Sequence, residues 1–371
     1  MRIPVQNPDG TPAMPTKPAR ARKWLEQGTA VKRWSDTGVF YVQLVAEPSG
    51  TKTQPIVVGI DPGQLYSGIG VQSAKATLFM AHLVLPFETV KKRMGQRAMM
   101  RRTRRGRRIN RNVLFVERNH REKRFDNRVG RKVPPSIKAN RQLELRVVTE
   151  LCRILPIAKI VYEYVKARGN KGFSPVMVGQ RVMLDWLEKL APVTTILGWE
   201  TANIRNQLHL EKTKNKKAQT PAAHAVDGVT LACSEFISYE KYHRYGEDGA
   251  MWKGAVQLTE SLFKVIRRPP VSRRQLHLFQ PAKGGKRRAY GGTVTRHGLR
   301  KGDLVSAEMG GRQYTGWVSG DTAKQVSVSD INWKRLGQFT ASKVQLIQRS
   351  TGLLASGASS PTQPALIPPT A

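Results

Sequence analysis

The sequence predicts a layered α/β domain, split by an arginine-rich insertion and followed by a smaller β-rich module. Three observations carry that prediction. Strand-like and helix-like segments alternate from Pro55 to about Glu240. A run dense in arginine, Lys91 to Arg131, interrupts them. Beyond Lys264 the helical periodicity gives way to short alternating strands separated by turn residues.

The balance of charge narrows the function. The 371 residues carry 63 Lys and Arg against 26 Asp and Glu, a formal net charge of +37. Such an excess repels itself unless a polyanion neutralises it, which points to nucleic acid and to salt-sensitive binding. A hydrophobic content of 39% still supports a globular core. Cys152 and Cys233 each lie within an apolar helical pattern and are expected as small core residues of a reducing compartment. No C-x-x-C pair offers a cysteine zinc site. The N-terminal stretch MRIPVQNPDGTPAMP has no apolar signal region, and no run reaches membrane-spanning length, so a cytoplasmic protein is expected.

Along the chain, Ala19 to Glu26 reads as a helix and VFYVQLV as a strand of a small basic leader. IVVGI, SGIGVQS and TLFMAHLVL then form three β-rich runs with short polar or Gly/Pro breaks, the pattern of an antiparallel meander. After the arginine run, Leu143, Val147, Leu151 and Leu155 recur at helical spacing until Pro156 stops the helix. AKIVYEYV returns to strand, VMVGQRVMLDWLEKL to helix and VTTILGW to strand. TPAAHAVDGVTLACSEFISYE opens with Thr220 as N-cap and Pro221 in the first turn of a last helix. DLVSAEM, QYTGWVS, QVSVSDI and KVQLIQ have the spacing of a small barrel or sandwich, and the tail from Ser350 has a disordered composition.

Three acids stand out against the basic background. Asp61 ends the first strand, Glu163 shares a strand face with Val161 and Val165, and Asp227 follows His224 by three residues on the last helix. At about 3.6 residues per turn the last two share one side of that helix. A strand-end acid is commonly a turn residue, a lone strand Glu commonly pairs with Arg, and H-x-x-D alone is weak. In this order on this succession of elements, the set is specific. Converging carboxylates resist ionisation unless a cation relieves them. Hard oxygen donors suit Mg²⁺, and two such ions can clamp the attacking and leaving oxygens of a phosphodiester. Asp61 is therefore expected to have a metal, not a side chain, as its counter-ion, with His224 activating or orienting the water.

IVVGIDPGQLYSGIG, IVYEYV and HAVDG resemble the three split segments of a RuvC nuclease domain, which has an RNase H-like fold. RRTRRGRR resembles the arginine-rich bridge helix of the RNA-guided IscB and IsrB families, relatives of the type II CRISPR effectors, and PAMP at Pro12 to Pro15 looks like their P-L-M-P motif with Ala13 for Leu. GFSPVMVGQ, KTKNKKAQTPAAHAVDG and KGGKRRAYGGT also look like segments of that group. IscB proteins carry an HNH domain between the second and third RuvC segments. Here no histidine occurs between Glu163 and Leu208, and the whole gap from Glu163 to His224 holds only His209, so the chain resembles IsrB, the HNH-lacking form.

The resemblance implies a PLMP-type domain over 1–52, RuvC segments over 53–90, 132–207 and 208–265, and a bridge-helix region over 91–131. A C-terminal β-rich domain over 266–349 and a disordered tail over 350–371 complete it. It implies an omega-RNA-guided nickase that cuts the displaced non-target strand of double-stranded DNA, working as a protein monomer within a ribonucleoprotein. It places the chain in the prokaryotic cytoplasm, at the nucleoid when bound to DNA. Asp61, Glu163, His224 and Asp227 would carry the chemistry, the three acids holding two Mg²⁺, with Mn²⁺ as a substitute.

The arginine run places cations at every helical azimuth, which suits a helix wedged between phosphate backbones. Lys91, Arg93, Arg97, Arg101, Arg102, Arg104, Arg105, Arg107, Arg108 and Arg111 are the expected RNA contacts. By analogy with the family, Arg287, Arg288, Tyr290 and Arg312 would read a short DNA motif. Two other functions remain open on the sequence: an unguided RuvC-type resolvase and a non-catalytic structural RNA-binding protein.

Overall fold

The computed structural model describes residues 1–47, 50, 52–106, 109–118, 133–166, 174–244, 247–270 and 293–356. The leader is a four-stranded sheet ordered β2-β1-β4-β3, built from β1 (Ile3–Gln6), β2 (Pro12–Thr16), β3 (Ala30–Trp34) and β4 (Phe40–Leu44). Helix α1 (Pro18–Glu26) buries Ala21 against Ile3, Val5 and Val42.

β5 (Ile56–Asp61), β6 (Tyr66–Ser73) and β7 (Ala76–Val84) form the expected antiparallel meander. Helices α2 (Phe87–Gly106) and α3 (Pro135–Ile154) follow, then β8 (Lys159–Tyr164). Next come α4 (Pro175–Val178), α5 (Gln180–Leu187), β9 (Val193–Leu197), α6 (Gly198–Gln207) and α7 (Val226–Cys233). β8 pairs parallel with β5, and β9 parallel with β8. The order β7-β6-β5-β8-β9 fits the RNase H-like core expected from the sequence.

Alternation along β5 fixes the layers. Ile56, Val58 and Ile60 pack with Leu143, Val147 and Leu151 of α3 and Met183 and Leu187 of α5. Val57 turns the other way and packs with Leu231 and Ala232 of α7. The leucine spacing read from the sequence is thus the buried stripe of α3, each such residue contributing about 2 kcal/mol.

Glycines let α7 sit unusually close to the sheet. A Cβ at Gly59 would lie 2.0 Å from the carbonyl oxygen of Gly228, and one at Gly68 would lie 1.8 Å from that of His224. The segment holding His224 and Asp227 therefore rests on backbone, and no larger residue fits at either point.

Several expectations need correction. VTTILGW splits, its Gly198 and Trp199 opening α6. The last helix does not begin at Pro221: Pro221–Ala225 is a π-type turn with non-helical Ala223, Thr220 makes no side-chain cap, and regular helix starts at Val226. It ends at Cys233, and Ile237 opens a hairpin of β10 (Ile237–Arg244) and β11 (Glu247–Gly254) in place of continued helix. Cys233 is buried and Cys152 half-buried, both as free thiols.

Two further strands extend the central sheet: β12 (Leu262–Arg267) runs parallel to β7, and Leu354–Ala355 pairs antiparallel with β12. The expected disordered tail therefore cannot begin at Ser350, because Leu353 joins the main core and Leu354 is fully buried. Apolar side chains with an open sheet edge to pair against outweigh a polar composition around them.

The C-terminal sheet comprises β13 (Leu304–Met309), β14 (Arg312–Asp321), β15 (Gln325–Ser329), β16 (Arg335–Thr340) and β17 (Val344–Gln348). The strand Leu354–Ala355 is accordingly β18. Order β16-β15-β14-β13-β17 puts β16 and β17 at opposite edges, yet the turn Ala341–Lys343 joins them, so the sheet curls toward a barrel. Val305, Val318, Val326, Val328 and Phe339 fill its core.

Candidate active site

Asp61 and Glu163 leave the sheet side by side. Ile60 pairs with Tyr162 across the parallel β5–β8 ladder, so the next residues along are the two acids, on strands about 4.8 Å apart. Both sit at the carboxyl ends of parallel strands, where open α/β sheets place ligands. Alternation puts Glu163 on the α7 face with Val161, as the sequence implied.

His224 reaches Asp61 from the turn before α7, with Nδ1 3.0 Å from Asp61 Oδ2. Asp227, 2% exposed, occupies the first turn of α7. The three acids share one field. Burial, then the Asp61 charge, raise the Glu163 carboxyl from 4.5 to about 7, and Asp227 adds to that shift. Asp227 is raised by the same two causes, opposed by Lys212 and Arg205.

Those two cations are the principal surprise. Arg205 Nη1 donates to Asp227 Oδ1 at 2.6 Å, and Lys212 Nζ donates to Oδ2. Side chains also stand beside the acids: His224 partners Asp61, and Arg205 with Lys212 partner Asp227. Lys212 opens the basic stretch KTKNKK, a signal present in the sequence but without an assigned partner. Arg205 lies on α6, a helix of which only Gly198 and Trp199 fell within the expected strand.

By donor type the three carboxylates fit a hard divalent cation; burial first, and the Asp61 charge second, raise Glu163 and Asp227, and such an ion would offset both. They are not closed into a cage. Among the described residues, no three His, Cys, Asp or Glu side chains gather closely enough to hold one ion.

Behind the site, α3 grips the loop after Asp61. Arg141 Nη2 donates to Gly63 O at 2.7 Å, and Asn140 Nδ2 to Gln64 O at 2.8 Å. Arg141 is almost wholly buried; its Nη1 donates to the Tyr162 hydroxyl at 2.9 Å and lies 3.0 Å from Glu144 Oε2. Burial lifts Glu144 to about 7 despite that guanidinium. Ser67 Oγ closes the loop on Asp61 O at 2.6 Å. His82 is fully buried beside His224, the rings 5.6 Å apart, and burial followed by the His224 charge lowers it to about 4. It packs as a neutral ring, with Tyr66 5.9 Å from His224 on the same side. Single-residue patterning gave these supporting groups no distinguishing mark.

Of the expected nucleic-acid contacts, Lys91, Arg97, Arg101, Arg102 and Arg111 are exposed and Arg93 is half-buried. Helix α2 nevertheless packs against α3, so one of its faces is covered by protein. Arg104 and Arg105 lie on α2 with side chains outside the described ones, while Arg107, Arg108, Arg287, Arg288 and Tyr290 lie outside the described residues altogether. Arg312 is exposed at the start of β14. No helix among the described residues is long and apolar enough to cross a membrane.

A family model described as "RRXRR protein" matches residues 3–175, a span that includes Arg101–Arg105, RRTRR. No curated protein matches the chain. Among solved structures, Thermus thermophilus RuvC bound to a Holliday junction substrate is 14% identical with a TM-score of 0.27, covering 48% of this chain and 90% of that one. Another Thermus thermophilus RuvC structure is 15% identical with a TM-score of 0.24 and the same coverage. The chain is thus similar, from its first strand to the start of α4, to the RRXRR family.

Proposed function

We propose that this chain is a divalent-metal-dependent endonuclease of the RuvC type, guided by RNA and nicking one strand of double-stranded DNA as in the IsrB group. The carrying observation is one electrostatic site made by Asp61, Glu163 and Asp227, with His224 hydrogen-bonded to Asp61. Asp61, Glu163 and Asp227 would share two metal ions between them rather than close as three on one, and the metal would supply Lewis-acid stabilisation of a phosphodiester oxygen and a more acidic water. The match to the RRXRR family over the arginine helix and the charge of +37 support a nucleic-acid partner.

The chain's own groups define the proton path. The Asp61 carboxylate accepts from His224 Nδ1, which fixes the hydrogen there and leaves the Nε2 lone pair free. Nε2 is buried and without a partner among the described residues, which leaves it as the nitrogen to take a proton from a water admitted with the substrate. Arg205 holds Asp227 in place, and Arg141 and Ser67 hold the Asp61 loop.

The test is Mg²⁺-dependent nicking of supercoiled plasmid by protein purified with its RNA. Asp61→Asn is expected to reduce nicking to background while RNA binding persists. Equal nicking by the variant overturns the assignment of the site. Cleavage of branched DNA without RNA would replace guidance with resolvase activity.

A further inference from the structure

A cleft of about 480 Å³, lined by none of the three carboxylates, lies between the start of α2, helix α3, the end of β12 and residues 351–353. Four arginines line it, Arg93, Arg146, Arg267 and Arg268, and no acid does. Arg146 is already engaged, pairing with Asp36 and lying 3.4 Å from Glu150 Oε1. Arg93 Nη2 donates to Pro270 O at 2.8 Å, a neutral partner. Among the described residues, no carboxylate lies within ion-pair distance of Arg93, Arg267 or Arg268, and the buried Arg267 Nε has no hydrogen-bond partner. Burial depresses the pKa of both Arg267 and Arg268; the Asp330 charge, beyond ion-pair distance, offsets part of this at Arg267, whereas the Arg146 charge presses further on Arg268. Half-buried guanidiniums without an ion-paired carboxylate are costly unless a ligand brings the charge.

We propose that this cleft binds the phosphodiester backbone of a nucleic-acid strand, with Arg93, Arg267 and Arg268 as its ligands. Guanidinium forks match phosphate oxygens bidentately. Val84, Leu85, Pro86 and Val90 form an apolar wall suited to sugar carbons rather than to a free hydrated anion. Exposed Lys91, Lys92, Arg97, Arg101 and Arg102 continue along α2, so a strand seated in the cleft has a basic track onward. The inference rests on the proposed function only for which strand enters. The site itself requires no cleavage.

The experiment uses RNA-free full chain without magnesium, and reads fluorescence anisotropy of single-stranded RNA and DNA oligonucleotides of one sequence across salt concentrations. Arg267→Gln with Arg268→Gln is expected to weaken binding about tenfold or more and to flatten the log K against log salt slope by about 1.4, two contacts' worth for a single strand. The charge-matched control, Arg20→Gln with Arg22→Gln on α1, is expected to leave both nearly unchanged. Arg267→Lys with Arg268→Lys keeps the charge, loses the fork and should fall between; thermal melts identify any variant that fails to fold.

Loss on both oligonucleotides supports a general backbone site, and loss on RNA alone supports an RNA strand as occupant. Equal behaviour of the Arg267/Arg268 and Arg20/Arg22 variants overturns the proposal. So does protection by inorganic phosphate that depends on Arg267 and Arg268 while oligonucleotide affinity does not. Because no cutting is read, a failed nuclease assignment and a failed cleft give different results.

Discussion

Glu163→Gln tests the surplus negative charge at the site directly. In the folded chain burial and Asp61 lift Glu163 from 4.5 to about 7. The folded state therefore binds this proton more tightly than the unfolded state. Its stabilising contribution is fully present below about pH 4.5 and is lost as pH rises through about 7. That span corresponds to about 3 kcal/mol, at about 1.4 kcal/mol per pH unit. Glutamine is neutral at all pH, keeps the shape and can hold the Thr201 contact.

In metal-free buffer with chelator, urea unfolding from pH 4.5 to 8.5 should show nearly equal stability at the acid end. The variant should lead by roughly 2–3 kcal/mol at pH 8. Adding Mg²⁺ at pH 8 should stabilise the parent and leave the variant largely unmoved, since binding to the native state alone raises stability. Parallel pH curves, or a variant less stable at pH 8 without metal, would refute the electrostatic account of the site.

Lys212→Gln should tighten Mn²⁺ binding measured by electron paramagnetic resonance, because it frees Asp227 Oδ2, whereas Lys214→Gln on the same stretch should not; equal affinities would remove Lys212 as a competitor of the cation. Gly228→Ala should destabilise by about 1–3 kcal/mol or more and lower the melting temperature, since its Cβ would lie 2.5 Å from Gly70 N, and an unchanged melt would contradict the close approach of α7. Arg141→Met should cost about 3–5 kcal/mol by leaving Glu144 buried without its cation, and a double change with Glu144→Gln should recover part of the loss.

The sequence alone determined the meander, the stripe of α3, the strand carrying Glu163 and the candidate quartet Asp61, Glu163, His224 and Asp227. These rest on local periodicity and on acids that a basic chain makes conspicuous. β12 and β18 escaped because short strands gain their stability from a distant partner, β7 for β12 and β12 for β18, rather than from their own pattern. The split of VTTILGW into β9 and α6 turned on Glu200, whose Oε2 accepts from Leu197 N at 2.6 Å, a capping contact that outweighs the β-branched run before it. Only the tertiary structure decided what surrounds the acids. Lys212 and Arg205 come from segments between β9 and α7, Arg141 from the opposite layer, and the seat of α7 from paired glycines on separate elements. Charge and contact between residues far apart in the chain are set by packing, and one-dimensional spacing records which groups exist but not which of them meet.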